Sequence, residues 1–363
     1  MLEFTRYLYL KEHVKTAFIG SMLLKHKDEA LFWAFELYHS GFRDDTFSII
    51  WKTYYGFYAS QNPLLEAYMK KKVPKDPAPK DDAHFIASFI SNMLIRRFNL
   101  DVFMLSGVVV KTEEDDDAKI ATLLEALETR NYESVAYYMN RVHKNKKDMA
   151  NATKTLKGFF ETQGCAKAPV QTITGKCENV NEIVIIIARI MTCFMQIENK
   201  HTPPKKTLYV AVDDNITKEY DTMEVCDDNP CPSKLFPALV KHSVYCSGIL
   251  TAFFPCCSQD MVDAYRNNWH IWGYRHTPIW KERIDSLGGA YNEETGIIQW
   301  DNLDNEDRFY AHYGYDTDEQ SREVWTKNIP MYETRMSMAE FYNTYKKNSL
   351  YVPCTDMLEA LVD

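Results

Sequence analysis

The sequence predicts a mainly α-helical protein: bundle-like N-terminal and middle parts with αα-hairpins, and a C-terminal part that is helical with a few short strands. Three observations carry this reading. Apolar residues recur at helical spacing through most of the chain. Only 13 glycines occur in 363 residues, too few for a chain built from tight β-turns. Aromatic residues reach 13%, with Tyr 23, Phe 19 and Trp 7, and such rings suit helix packing and large contact surfaces.

Ala30 to Phe42 reads ALFWAFELYHSGF. Leu31, Ala34, Phe35 and Tyr38 share one helical face, with Trp33 and Leu37 on a second apolar strip, so this helix must be covered on two sides. Asp28 is its expected N-cap, and Gly41 suits the left-handed residue after the C-cap, placing Phe42 back on Leu37. Asp44 and Asp45 offer the next N-cap. Phe47, Ile50, Trp51, Tyr54 and Tyr58 mark a second helix that stops near Asn62-Pro63 and forms an αα-hairpin with the first.

KKVPKDPAPKDD follows as an exposed Pro/Lys linker near residues 71–82. Phe85, Phe89, Ile90, Met93 and Arg97 give another helix, and VFMLSGVVV admits a short strand. The acidic run Glu113 to Asp117 precedes Ile120, Leu123, Leu124 and Leu127, as the positive end of a helix dipole favours. Helices are expected over 132–142 and 149–160. The run IVIIIARIMTCFM, 183–195, is read as a buried helix, too short and too charged at Arg189 to span a bilayer. LYVAV, 208–212, looks like a strand. Helices are expected from Ser233 and from Ser258, another in PIWKERIDSLGG with Pro278 in its first turn, and AYNEETGIIQW reads as a hairpin around Thr295-Gly296.

Three segments result: an aromatic-rich helical region at 1–110, a helical middle region at 111–200, and an acidic, cysteine-containing, mainly helical region at 201–363. Lys and Arg less Asp and Glu gives +2, 0 and −11 across them, for a net charge of −9. That balance lacks the clustered cations of nucleic-acid binding, and the lysines at 70–72 and 144–147 read as solvated helix ends. The N-terminal stretch carries Glu3 and Arg6 among its apolar residues, unlike a secretory signal. No repeat of fixed period is present.

GxGxxG, GxxxxGK, GxSxG and HExxH are all absent, so the common nucleotide, hydrolase and zinc-protease motifs lend no support. All nine cysteines follow residue 164. Cys226, Cys231, Cys246, Cys256 and Cys257 leave open a structural zinc, a Cys226–Cys231 disulfide, or ordinary thiols, with the thiols favoured by the irregular spacing. The acidic stretches 302–307 and 316–320 lack the ligand order of a calcium loop. RNNWHIWGYRH, 266–276, concentrates Arg, His and Trp. It offers either an anion pocket with Arg as clamp and His as acid-base, or packing anchors and surface hydrogen bonds.

ALFWAFELYHSGF, IIWKTYYGFYASQNP and FIASFISNMLIRRFNLDVFML, in this order, resemble segments of a poorly characterised helical protein family of nucleocytoplasmic large DNA viruses. HTPIWKERI and YGYDTDEQ are similar to the same group. The resemblance implies viral origin and a minor capsid protein that cements the capsid lattice; it carries over no catalytic residues. Its expected partners are the major capsid protein or other minor capsid proteins, with proximity to an inner viral membrane and no direct nucleic acid. The expected place is the virion capsid, after synthesis in the host cytoplasm. The reading is non-enzymatic, with no cofactor and no metal, and takes Trp33, Trp51, Trp269, Trp272 and Trp280 as candidate interface anchors. Two alternatives stand beside it: an enzyme using the Arg266 to His276 segment on a phosphate-bearing substrate, and an intracellular viral factor that binds a transcription or host protein.

Overall fold

The computed structural model describes most of residues 3–107, 120–200 and 271–313, parts of 209–220, and 338–353. Helices dominate. In chain order they are α1 (Lys11–Leu24), α2 (Lys27–His39), α3 (Arg43–Thr53), a π-helical turn (Tyr54–Tyr58), α4 (Pro63–Lys70), α5 (Pro79–Leu94) and α6 (Asp101–Ser106). Then come α7 (Ile120–Glu128), α8 (Tyr132–Val142), α9 (Lys146–Thr162), α10 (Glu182–Ile197), α11 (Pro278–Ser286), strands β1 (Gly289–Asn292) and β2 (Ile297–Trp300), α12 (Leu303–Tyr313) and α13 (Met338–Tyr345). Among the described residues no helix is long and apolar enough to cross a membrane.

The three sequence segments are not the units of packing. The chain forms two compact units, each assembled from separated stretches: Met1–Phe47 with Ala78–Ile90 and Ala211–Met336, and Ser48–Pro77 with Ser91–Val210 and Ser337–Asp363. Two of the divisions fall inside helices, α3 and α5.

In the first unit α2 packs along α1, so the hairpin partner of α2 is α1 rather than the expected α3. Lys25, at φ 63°, turns the chain between them. The cap of α2 follows the expected pattern: Gly41 N–H donates to Tyr38 O (3.0 Å) and Phe42 N–H to Leu37 O (3.1 Å), the paired bonds of a Schellman end. Its start differs, because the helix begins at Lys27 and Asp28 lies in the first turn instead of capping it. Asp44 and Asp45 likewise sit inside the first turn of α3. Both placements keep the carboxylates near the positive end of the dipole.

An N-terminal strap runs between α2 and α11. The Thr277 hydroxyl accepts from Phe4 N–H (3.1 Å) and donates to Phe4 O (2.6 Å), while Trp280 Nε1 donates to Thr5 O (3.0 Å). Pro278 opens α11 as expected, and β1 and β2 form the expected hairpin, antiparallel with Gly289 opposite Trp300 and Asn292 opposite Ile297.

The apolar run of the middle region becomes α10, the hub of the second unit. Its buried Ile185, Ile186, Ile190, Met191 and Phe194 serve packing against α6, the π-turn and α8. Beside it α7, α8 and α9 pack on one another. Asn131, Asn145 and Asn181 cap α8, α9 and α10, each side chain accepting backbone N–H bonds, a contribution of about 1 kcal/mol per cap.

Three local expectations change. The linker shortens, because Pro79 starts α5 with Asp81 and Asp82 in its first turn, where a fixed φ and a missing N–H suit the position. The helix expected to run to Asn62 passes into a π-turn closed by Ala59 N–H to Tyr54 O (2.8 Å), with Tyr54, Tyr55, Phe57 and Tyr58 all buried. The possible strand in 102–110 is helical over Asp101–Ser106, with 108–110 outside the described residues.

LYVAV is not a strand where it is described, at 209–212. Asn92 explains why: its amide donates to Val210 O and accepts from Val210 N–H, both at 3.0 Å. One side chain supplies the two bonds that a neighbouring strand would otherwise give. Tyr209 stacks on Tyr68 with ring centroids 3.7 Å apart.

Candidate interaction groove

Of the five candidate anchors, three are described, and all three lie inside the fold. Trp33 is 0% exposed and meets Tyr9 edge-on at 5.0 Å and Phe32 at 4.9 Å. Trp51, 6% exposed, packs on Tyr54 and Tyr55. Trp280, 0% exposed, holds the strap by its Nε1 bond and carries the Arg283 guanidinium 4.6 Å from its ring centre. Their indoles are covered within this chain, which corrects the expectation that they anchor a partner. Leu37, on the second strip of α2, is buried as well. Trp269 and Trp272 lie outside the described residues.

The Arg266 to His276 segment is described in part. Arg275 is exposed and lies over the Tyr291 ring, 5.0 Å from its centre. Burial and the Arg275 charge hold His276 below the ordinary imidazole range. Arg266 and His270 fall outside the described residues, as do Cys226, Cys231, Cys246, Cys256, Cys257 and the acidic run 113–117.

Buried charges tie elements together. Arg6 pairs with Glu36 at 3.0 Å, both almost wholly buried, and its guanidinium also donates to Tyr220 O (3.0 Å). Ser40 joins them by accepting from Arg6 N–H (2.7 Å) and donating to Glu36 O (2.5 Å). In the second unit Glu66 accepts from Arg189, Lys70 and the Tyr55 hydroxyl. Although burial opposes its charge, Arg189, Lys70 and Tyr55 hold that carboxyl below its usual range. Among the described residues no group of three His, Cys, Asp or Glu side chains could hold a metal.

An open groove of about 580 Å3 lies between α7 and α9. On α9 it is lined by Asn151, Lys154, Thr155, Gly158, Phe159 and Thr162, and on α7 by Leu124 and Glu128. The α9 residues recur at i, i+3, i+4, i+7, i+8 and i+11, one continuous helical face. A different face, Ala152, Leu156 and Phe160, is buried. Leu124 is 39% exposed while its neighbours Leu123 and Leu127 are covered. Thr155 donates to Asn151 O (3.2 Å) and Thr162 to Gly158 O (2.8 Å), so both hydroxyl protons are held by α9 itself.

Gly158 stands midway along this face. No atom lies within 4 Å of where its Cβ would be. Helix-interior glycine costs roughly 0.5–1 kcal/mol relative to alanine, and neither a positive φ nor a close neighbour in this chain requires it. The sequence alone does not mark this face: Gly158 inside KTLKGFFET reads as a plain helix-interior glycine, and the exposure of Leu124 is visible only in the fold. Comparison with known protein families, curated proteins and solved structures finds no match to this chain.

Proposed function

We propose that this chain is a non-enzymatic interaction protein, a minor capsid component of a large DNA virus as its sequence resemblance implies, and that it receives a helix of a neighbouring capsid protein in the α7–α9 groove. The observation that supports this is Gly158. A bare backbone at the centre of an exposed helical face, with open space above it, allows an occupant's backbone to approach closely, while Leu124 and Phe159 supply apolar contact and Lys154 and Glu128 supply a rim of both charges. Trp51, buried on Tyr54 and Tyr55, packs inside the unit that carries this groove.

Quantitative mass spectrometry of purified particles tests the capsid role, with a stoichiometric presence expected; detection in infected cells but not in particles counts against it. The groove is tested at one position. Gly158→Ala is expected to stabilise the helix by about 0.5–1 kcal/mol, read as a small rise in melting temperature. Gly158→Trp is expected to leave the circular dichroism spectrum intact and to abolish incorporation into particles. Normal incorporation of a folded Gly158→Trp chain would remove the groove from the proposal.

A further inference from the structure

The charges beside the α7–α9 groove identify what lies in it. Along α9 the exposed Lys154, Gly158 and Glu161 recur at i, i+4 and i+7, so they share one helical face. With a rise of about 1.5 Å per residue, Lys154 stands about 6 Å before Gly158 and Glu161 about 4.5 Å after it. The two charges are thus about 10.5 Å apart along their own helix, too far to meet each other. Neither forms an ion pair with another described residue.

We propose that the helix received in this groove is α9 of a second copy of the chain, lying antiparallel with a two-fold axis at Gly158. This rests on the reading of the groove as a helix-receiving site and names its occupant. Across such an axis each position before Gly158 faces the position equally far after it in the other copy. Lys154 of one copy then comes within about 1.5 Å, measured along the helix, of Glu161 of the other, and the symmetry repeats that pair. A parallel pairing would set lysine against lysine and glutamate against glutamate, so charge selects the antiparallel one. The face is its own complement, which favours a second copy over an unrelated helix.

Packing agrees with charge. No atom lies within 4 Å of the missing Gly158 Cβ, so two bare backbones can close on each other at the axis. Thr155 and Thr162, about a turn to either side, are small and already hold their hydroxyl protons on α9. Leu124 on the α7 wall, 39% exposed, gains the apolar cover it lacks in the single chain. Each copy lends its α9 to the groove of the other, so every contact is made twice.

Sedimentation equilibrium of the full chain tests this. Expected is a dimer that dissociates on dilution, and a monomer for Gly158→Trp at the same loading. Lys154→Glu and Glu161→Lys, each reversing one charge at both symmetric contacts, should raise the dissociation constant roughly tenfold or more. Combining the two substitutions should return it close to the wild-type value, a rescue that pairing with an unrelated helix would not give. A wild-type chain that stays monomeric up to its solubility limit overturns the inference. So does a dimer unmoved by Gly158→Trp, or a combined variant that associates no better than the single ones. The charge-swap series, at two exposed positions, decides the matter even where Gly158→Trp fails to fold. The two readings fail separately: a monomeric chain whose folded Gly158→Trp variant is excluded from particles keeps the groove for another capsid protein and overturns this inference. A dimer lost in Gly158→Trp, together with normal incorporation of that variant, keeps the inference and removes the groove from the capsid role.

Discussion

A Cβ on Gly41 would stand 2.5 Å from Cβ of Pro278, on a backbone at φ 86° that L side chains rarely adopt. Gly41→Ala therefore incurs the left-handed penalty of roughly 1–2 kcal/mol and a contact that either the cap of α2 or the first turn of α11 must relieve. Its expected result is a lower urea midpoint with an unchanged slope, and a midpoint equal to wild type would show that the cap relaxes freely. The same scale explains the tryptophans. An indole is both the largest apolar side chain and a single N–H donor, and Trp280 uses both properties internally, with its ring buried and its Nε1 bonded to Thr5 O. Aromatic abundance in the sequence could not distinguish this from an interface, because the same rings serve either once desolvated.

At the scale of elements, what was legible was what depends on near neighbours in sequence. The period of 183–195 gave α10, Gly41 gave the end of α2, Pro278 the start of α11, and Thr295-Gly296 the hairpin turn. What was hidden depends on distant partners. LYVAV has strand composition, yet Asn92, 118 residues away, satisfies Val210 and leaves no ladder to join. The groove was hidden for the same reason: Gly158 is an ordinary helix blemish until α7 is placed beside it.

Asp101 is a further long-range case. It accepts from the backbone N–H groups of Leu350 and Tyr351 and from the Ser349 hydroxyl, docking the stretch after α13 onto the start of α6, and Asn99 Nδ2 completes its shell at 2.7 Å. Asp101→Ala would strip those donors of their acceptor, at about 1–3 kcal/mol for each group left buried and unsatisfied. Hydrogen exchange should then accelerate at Leu350 and Tyr351 while the amides of α10 keep their protection. Equal acceleration at α10 would mean that the docked stretch and the hub open together.

For the molecule as a whole, the first unit holds buried imidazoles that make its stability depend on acid. Burial holds His13 down to about 4, and burial together with the nearby Arg6 guanidinium holds His39 down to about 3, from an ordinary value of 6.5. A base whose folded pKa is depressed binds fewer protons folded than unfolded, so stability is complete above pH 6.5 and is lost as pH falls toward those folded values. Below 6.5 the loss approaches about 1.4 kcal/mol per pH unit for each such histidine. It sums to the order of 3 kcal/mol for His13 and to a screened amount for the half-buried His39. Asp45 and Glu66 act in the same direction, since burial is outweighed by the neighbouring cations that hold both carboxyls low, but they count only as pH falls to their ordinary values of 3.8 and 4.5. The interval from pH 6.5 to 4.5 therefore isolates the histidines. Urea unfolding followed across it should show a falling midpoint for the unaltered chain and a flatter profile for His13→Gln, whose neutral side chain has no proton to take up. A profile in His13→Gln as steep as in the unaltered chain would mean that the acid sensitivity arises elsewhere in the fold.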